Sequence, residues 1–279
     1  MRLAIRHTTR YDFSLPLAQG LQRLRLKPKS THGQKVIDWH MDLTGARREV
    51  EYEDQHGNAG LLISLEPGAR SVTVTCTGTV ETADNAGVLG MHTGYMPIWA
   101  FLAQTELTRP GPQMHALVAA LEVEGQDAAG KGNGGTLAML HALSDAVHNA
   151  AAYAPGRTAV DTPAEAALAA KVGVCQDHSH IFIGAARLLG IPARYISGYL
   201  LMDDRIDQEA GHGWAEAYVE GLGWVSFDVA NEICTDARYV RVASGFDYRD
   251  AAPVTGISTG TGETAMAVSL SVEQVAAGL

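Results

Sequence analysis

Three cysteines, Cys76, Cys175 and Cys234, stand far apart in this chain. Cys175 lies in "VGVCQDHSHIFIGAARLLGIP", just after Gly173, at the head of a run with apolar residues at Ile181, Ile183, Ala186, Leu188 and Leu189. That spacing predicts a buried helix, stopped by Gly190 and Pro192. Cysteine attacks as the thiolate, which a helix N-terminus favours. The unpaired backbone N–H groups of the same first turn can hold an oxyanion when a thiolate adds to a carbonyl. A neighbouring histidine that takes and returns the proton supplies the remaining need of acyl transfer.

His212 begins the strand-like run "HGWAEAYVE", and Asp228 ends "GWVSFD"; "EGLG" between them reads as a hairpin. Adjacent antiparallel strands can set these two side chains together, with the acid fixing the imidazole tautomer and stabilising the imidazolium. Cys175, His212 and Asp228 therefore form a candidate triad. Three further residues are candidates for oxyanion or substrate support. Gln176 carries an amide donor, though it reads equally well as a surface residue. Trp214, two positions from His212, points to the same side of the strand and can shield the site from water. Tyr199 in "SGY" either reaches the site or packs as a core aromatic.

Other polar residues read as structural. His178 shares a helix face with Cys175, but His180 at i+5 does not, and no second cluster has zinc-type spacing, so no metal is expected. His180 reads as a packed histidine bonded to backbone, and Asp177 as a first-turn carboxylate favoured by the helix dipole. His141 and His148 read as helix-surface residues. No Asp-rich calcium loop appears, and no cofactor is implied.

Two rhythms of sequence position these residues. Residues 1–90 read as short strands divided by Gly and Pro turns: "RLAIRHTTRYDF", "LQRLRLKP", "KVIDWHMDLTG", "REVEYEDQHGNAGLLISLEP" and "SVTVTCTGTVE". Alternation of this kind predicts an antiparallel β-sandwich, with Cys76 as a small buried strand residue. "RLRLKPK", Arg23 to Lys29, reads as the solvated face of a strand. Residues 91–279, with a core at 136–245, read as a second, α+β domain. There "PQMHALVAALEV" and "GTLAMLHALSDAVHNAAAY" have helical spacing, and the Gly-rich "EGQDAAGKGNGG" between them reads as a flexible loop. "TPAEAALAAK" predicts a short helix with Thr162 as N-cap, and "GETAMAVSL" a final strand.

The 279 residues carry a net charge of −10 and a pI near 5.5. An acidic chain without a basic stripe is a poor partner for nucleic acid. No run approaches the roughly 18 apolar residues of a membrane span, and the N-terminus lacks the apolar core of a secretory signal. An odd number of scattered cysteines suits a reducing compartment, so a cytoplasmic location is expected.

"GVCQDHSH", "GIPARYISGY" and "HGWAEAYVEGLGWVSFD" together resemble the bacterial branch of the transglutaminase-like superfamily. "IRHTTRYDF…LRLKP…DQHGN" resembles the β-sandwich that precedes its catalytic domain, and "FDYRDAAPVTG" its C-terminal segment. The resemblance implies a papain-like catalytic fold and aligns Cys175, His212 and Asp228 with the family's nucleophile, base and acid. It implies cysteine chemistry on an amide or peptide bond of a protein or peptide substrate, through a thioester. Hydrolysis is favoured, because no second-substrate element is recognisable. The alternatives are protein-glutamine cross-linking and a catalytically impaired peptide-binding module. Peptide-ligase-like or proteasome-like partners are implied by resemblance alone. Two departures stand out: Gly213 where the family has Ala, and Asp228-Val229-Ala230-Asn231 where it has Asp-Pro-Thr.

Overall fold

The computed structural model describes residues 1–125, 133–260 and 262–276. The chain opens with six strands: β1 (Arg2–Phe13), β2 (Gln19–Lys27), β3 (Gln34–Thr44), β4 (Ala46–Glu53), β5 (Ala59–Leu65) and β6 (Ser71–Thr82). After β7 (Val88–Gly90) come the helices α1 (Pro112–Gly125) and α2 (Asn133–Ala150), then β8 (Ala152–Tyr153), α3 (Ala164–Ala170), β9 (Val172–Gly173) and α4 (Cys175–Leu188). Strands return as β10 (Ala193–Leu200), β11 (Asp207–Gln208), β12 (His212–Val219), β13 (Gly223–Phe227) and β14 (Tyr239–Gly245), with α5 (Tyr248–Ala251) before the last two, β15 (Val254–Thr259) and β16 (Thr264–Gln274). The expected Gly-rich loop falls mainly on 126–132, outside the described residues.

The N-terminal strands form the two layers of a sandwich, in the orders β11-β16-β1-β6-β3 and β15-β2-β5-β4. Inward residues of both layers, among them Phe13, Leu24, Ile63, Val72, Val74 and the fully buried Cys76, share one core. The expected final strand is β16, and it does not stay with the second half of the chain. It pairs along the whole of β1, Leu3 opposite Gln274 through Phe13 opposite Thr264, and β15 pairs with β2. Residues 254–274 thus complete the sandwich by sheet pairing, and the chain leaves it after β6 and returns to it. In the other direction β7, from within residues 1–90, pairs with β13.

The basic run on β2 is not one solvated face. Arg23 and Lys27 are exposed, but Arg25 is buried and its Nε donates to Asp54 Oδ2 at 2.9 Å. The register with β5 shifts between Leu24 and Lys27, and this irregularity turns Arg25 inward.

The second half is α+β. An antiparallel sheet of order β14-β10-β12-β13-β7 is backed by α4, whose Ile181, Phe182, Ile183 and Ala185 pack on Ala215, Ala217 and Val219 of β12. Small side chains on β12 let the helix lie close to the sheet, as interior packing density demands. A third cluster joins the halves: Leu3, Ile5 and Val80 of the sandwich meet Tyr199, Val240 and Val242 of this sheet. One face of β1 therefore changes role along its length, from this joint at Leu3 and Ile5 to the sandwich core at Phe13.

The short helix α3 is capped differently from expectation. Pro163 precedes it and Thr162 Oγ1 accepts from Ala159 N–H instead. Glu165 accepts the N–H groups of Gly111, Gln113 and Met114, so it caps α1, where a carboxylate satisfies unpaired donors.

Candidate active site

Cys175 is the first residue of α4, as its sequence context predicts. The parallel pair β8–β9 brings the chain in, and Val174 N–H donates to Asp177 Oδ2 at 2.8 Å. Thr158 Oγ1 donates to the same oxygen at 2.7 Å. Asp177 is thus used in building the turn that presents Cys175. Ser179 Oγ donates to Cys175 O at 2.7 Å and lies 3.4 Å from Gly213 O, which ties the first turn of α4 to β12.

His212 and Asp228 arrive from the hairpin β12–β13, whose register sets Ala215 opposite Phe227. His212 Nε2 stands 2.6 Å from Asp228 Oδ2, and the imidazole also contacts the Cys175 side chain. With Nε2 taken by the acid, Nδ1 is the nitrogen left for the thiol. Burial disfavours charge on His212, but its interactions with nearby Cys175 and the hydrogen bond to Asp228 outweigh it, and its pKa rises to about 10. Burial also disfavours charge on Asp228, yet hydrogen bonds from His212, Tyr239 and Asn231 hold its carboxyl below the usual range.

These last two donors were not singled out from the sequence. Tyr239 Oη, from β14, and Asn231 Nδ2, from the 3-10 turn Val229–Asn231, each donate to Asp228 Oδ2 at 2.7 Å. The turn is the local answer to the missing Asp-Pro-Thr. The backbone curls at once after Asp228, and Asn231 comes back over the carboxylate. A polar residue three positions after the acid was the available signal. Nothing local points to Tyr239, which depends on β14 lying beside β10.

The three support candidates divide. Trp214 stacks on His212, with centroids 6.2 Å apart and planes at 27°, and meets Tyr239 edge-on, so it covers one face of the imidazole. Gln176 lines the cleft beside Cys175, but its Nε2 donates to Val160 O at 2.9 Å. Tyr199 also lines the cleft, while its hydroxyl lies 2.9 Å from His7 Nδ1 and its ring stacks on Trp39. It belongs to the joint between the halves, and its hydroxyl is engaged there.

His178 spans Val174 O and Ala151 O, and buried His180 accepts from Tyr248 N–H, so both serve the backbone. His148 sits against Val229 O, and His141 packs edge-on to Phe227. Trp224 lies apart from the triad, under Arg194 at 3.8 Å. Arg194 and Arg241 clasp the buried carboxylate of Glu216 at 2.6 and 2.9 Å.

A cleft of about 320 Å³ opens over Cys175 and His212. Its far wall is the sandwich, through Thr9 and Tyr11 of β1 and Met266 and Val268 of β16. The sandwich therefore forms part of the site. Gly213 also has a reason here: a methyl group at this position would lie 1.9 Å from Tyr195 Oη, so the tyrosine fills the room of the missing side chain.

Two family models match the chain. The transglutaminase-like superfamily core covers residues 126–229, and the bacterial transglutaminase-like N-terminal region covers 3–81. A protein of Mycobacterium leprae, described as uncharacterized, is 29% identical over 99% of both chains. One of Mycobacterium tuberculosis, likewise described, is 25% identical over 98% of this chain and 92% of its own. A solved structure from Cytophaga hutchinsonii, described as a candidate cysteine protease, superposes with a TM-score of 0.76 over 100% of this chain and 92% of that one; at 21% identity this likeness speaks for the fold. The two matched regions span the six N-terminal strands of the sandwich, but for their outermost residues, and all three candidate triad residues, and the chain belongs to the bacterial transglutaminase-like proteins.

Proposed function

We propose that this protein is a cysteine hydrolase that cleaves an amide or peptide bond through a thioester on Cys175. The observation that carries the reading is the placement of His212, held by Asp228 at 2.6 Å and in contact with a cysteine at the start of a buried helix. The Cys175 thiolate adds to the carbonyl carbon of the substrate. The C–N bond breaks, His212 gives its proton to the departing amine, and a thioester remains. Water then adds to the thioester carbonyl while His212 takes its proton. The C–S bond breaks, the acid leaves, and the Cys175 thiolate is restored beside a His212 that holds the proton taken from water. Asp228 holds the imidazole and stabilises its charged form. The chemistry needs no cofactor. Three unpaired cysteines suit a reducing cytoplasm, and no helix among the described residues is long and apolar enough to cross a membrane.

Hydrolysis is preferred over transfer to an amine because water is in large excess, and transfer requires a second docking site that excludes it. The experiment profiles a peptide library with the wild type and Cys175→Ala, then repeats the best peptide with a millimolar primary amine present. Mass spectrometry counts free acid against amine adduct. Free acid in excess, absent with Cys175→Ala, is expected. Adduct in excess would replace hydrolysis by cross-linking, and products unchanged by Cys175→Ala would remove the thiol mechanism.

A further inference from the structure

An oxyanion hole needs donors aimed at the place where the substrate oxygen becomes charged. The first turn of α4 offers backbone N–H groups. The amide of Gln176, the side-chain donor nearest in sequence, is spent on Val160 O. The hydroxyls of Ser197 and Tyr199, also on the cleft, are tied to Ala251 O and His7.

Tyr195 is placed otherwise. It stands on β10 opposite Ala215, with its ring between His180 (centroids 5.1 Å apart) and Tyr248 (6.0 Å). The residue is only 3% exposed. Its hydroxyl runs out over Gly213, in the space a methyl group there would occupy. Ser179 links that same glycine to the first turn of α4, and Cys175 is near enough to Tyr195 for its charge to act on the phenol. Tyr195, Cys175, Gln176, His212 and Gly213 line one cleft. Among the described residues no hydrogen bond is made to Tyr195 Oη, and this buried ring lines the cleft, so its hydroxyl is left available to a substrate oxygen.

We propose that Tyr195 is a catalytic residue whose hydroxyl donates a hydrogen bond to the carbonyl oxygen of the acyl group as the Cys175 thiolate adds to it. Burial, and next the negative charge of Cys175, raise the pKa of this phenol well above 10, so it stays protonated and able to donate. The room for it exists because residue 213 is glycine. The proposal rests on the thiol mechanism given above.

The test compares two reactions of the same thiol in wild type and Tyr195→Phe, which keeps the packed ring. Iodoacetamide alkylates sulfur by displacement at an sp3 carbon and develops no oxyanion. p-Nitrophenyl acetate acylates it through a tetrahedral oxyanion, read as a burst of p-nitrophenolate. Tyr195→Phe is expected to alkylate at Cys175 at the wild-type rate and to acylate about 10²-fold more slowly, the usual loss for one oxyanion donor. Equal acylation rates overturn the proposal. So does a parallel loss in both reactions, which would mean that the hydroxyl serves the thiolate. Incorporation of a fluorotyrosine at 195, of nearly unchanged shape and stronger donor character, guards against misfolding of the phenylalanine variant: faster acylation supports the assignment and unchanged acylation overturns it. A wild type whose acylation and alkylation both bypass Cys175 would instead refute the thiol mechanism, and this role of Tyr195 with it.

Discussion

Asn231 donates to the carboxylate of Asp228 at 2.7 Å from three residues along the chain, on the same oxygen that holds His212. Tyr239 makes the third contact with that oxygen, so Oδ2 has three donors and a defined direction. The acid is oriented by a turn and a strand, without the proline that the family pattern places after it.

Loss of activity should follow this order of support. Cys175→Ala and His212→Ala are expected to abolish turnover to nearly the same extent, because neither group works without the other. Asp228→Ala should cost less, since that residue orients and stabilises. Asn231→Ala and Tyr239→Phe should each cost about tenfold in kcat/KM, equivalent to about 1.4 kcal/mol. Steady-state kinetics on one peptide would test the series, and an Asn231→Ala enzyme of wild-type rate would show that the turn does not hold the acid.

Alkylation should single out Cys175. Burial pushes the Cys76 thiol up to about 12 and the Cys234 thiol upward as well, so both resist conversion to thiolate at neutral pH. Cys175 opens on the cleft beside His212. Peptide mapping after brief, dilute iodoacetamide treatment at pH 7 should find it modified first. Equal labelling of the three cysteines would contradict the site.

The charge on His212 should persist well above neutral pH and depend on its neighbours. Its folded pKa, about 10, lies above its ordinary 6.5. The resulting stabilisation is therefore complete below about pH 6.5 and is lost as pH rises through about 10. NMR titration of His212 should show the high midpoint in the wild type and lower midpoints in Cys175→Ala and Asp228→Asn, each of which removes a raising influence. An unmoved midpoint in both variants would mean that neither neighbour sets it.

Glu216 should matter for stability in a different pH range. It is fully buried, yet Arg194 and Arg241 overcome the cost of burial and hold its pKa below the ordinary 4.5. Its contribution is thus present above about pH 4.5 and fades as pH falls through the lowered value. Glu216→Gln leaves two buried guanidinium groups without their counter-charge and should lose about 3–5 kcal/mol at pH 7. Urea unfolding at pH 7 and at low pH would check both magnitude and direction, and a loss of the same size at both would argue against an ionised Glu216.

Much of the candidate site could be read along the chain because its parts are local. Apolar spacing after Gly173 set the start of α4 at Cys175, and the short "EGLG" turn set His212 and Asp228 on neighbouring strands. Alternation also marked the sandwich strands, the burial of Cys76 and the final strand. Periodicity reports which face of an element is apolar, and a tight hairpin determines its own register.

Tertiary structure decided what lies across elements. Pairing of β16 with β1 makes the C-terminal strand a wall of the cleft, although more than 250 residues separate the ends of that pair. The irregular register of β2 buried Arg25 inside a run that looked solvated. Glu165 capped a helix other than its own, and the Tyr199 hydroxyl went to His7 on the sandwich while that of Tyr195 came to the cleft. In each case the sequence supplied a side chain with donors or acceptors to satisfy. Its partner was set by which strands and helices became neighbours, and a local pattern of residues does not contain that information.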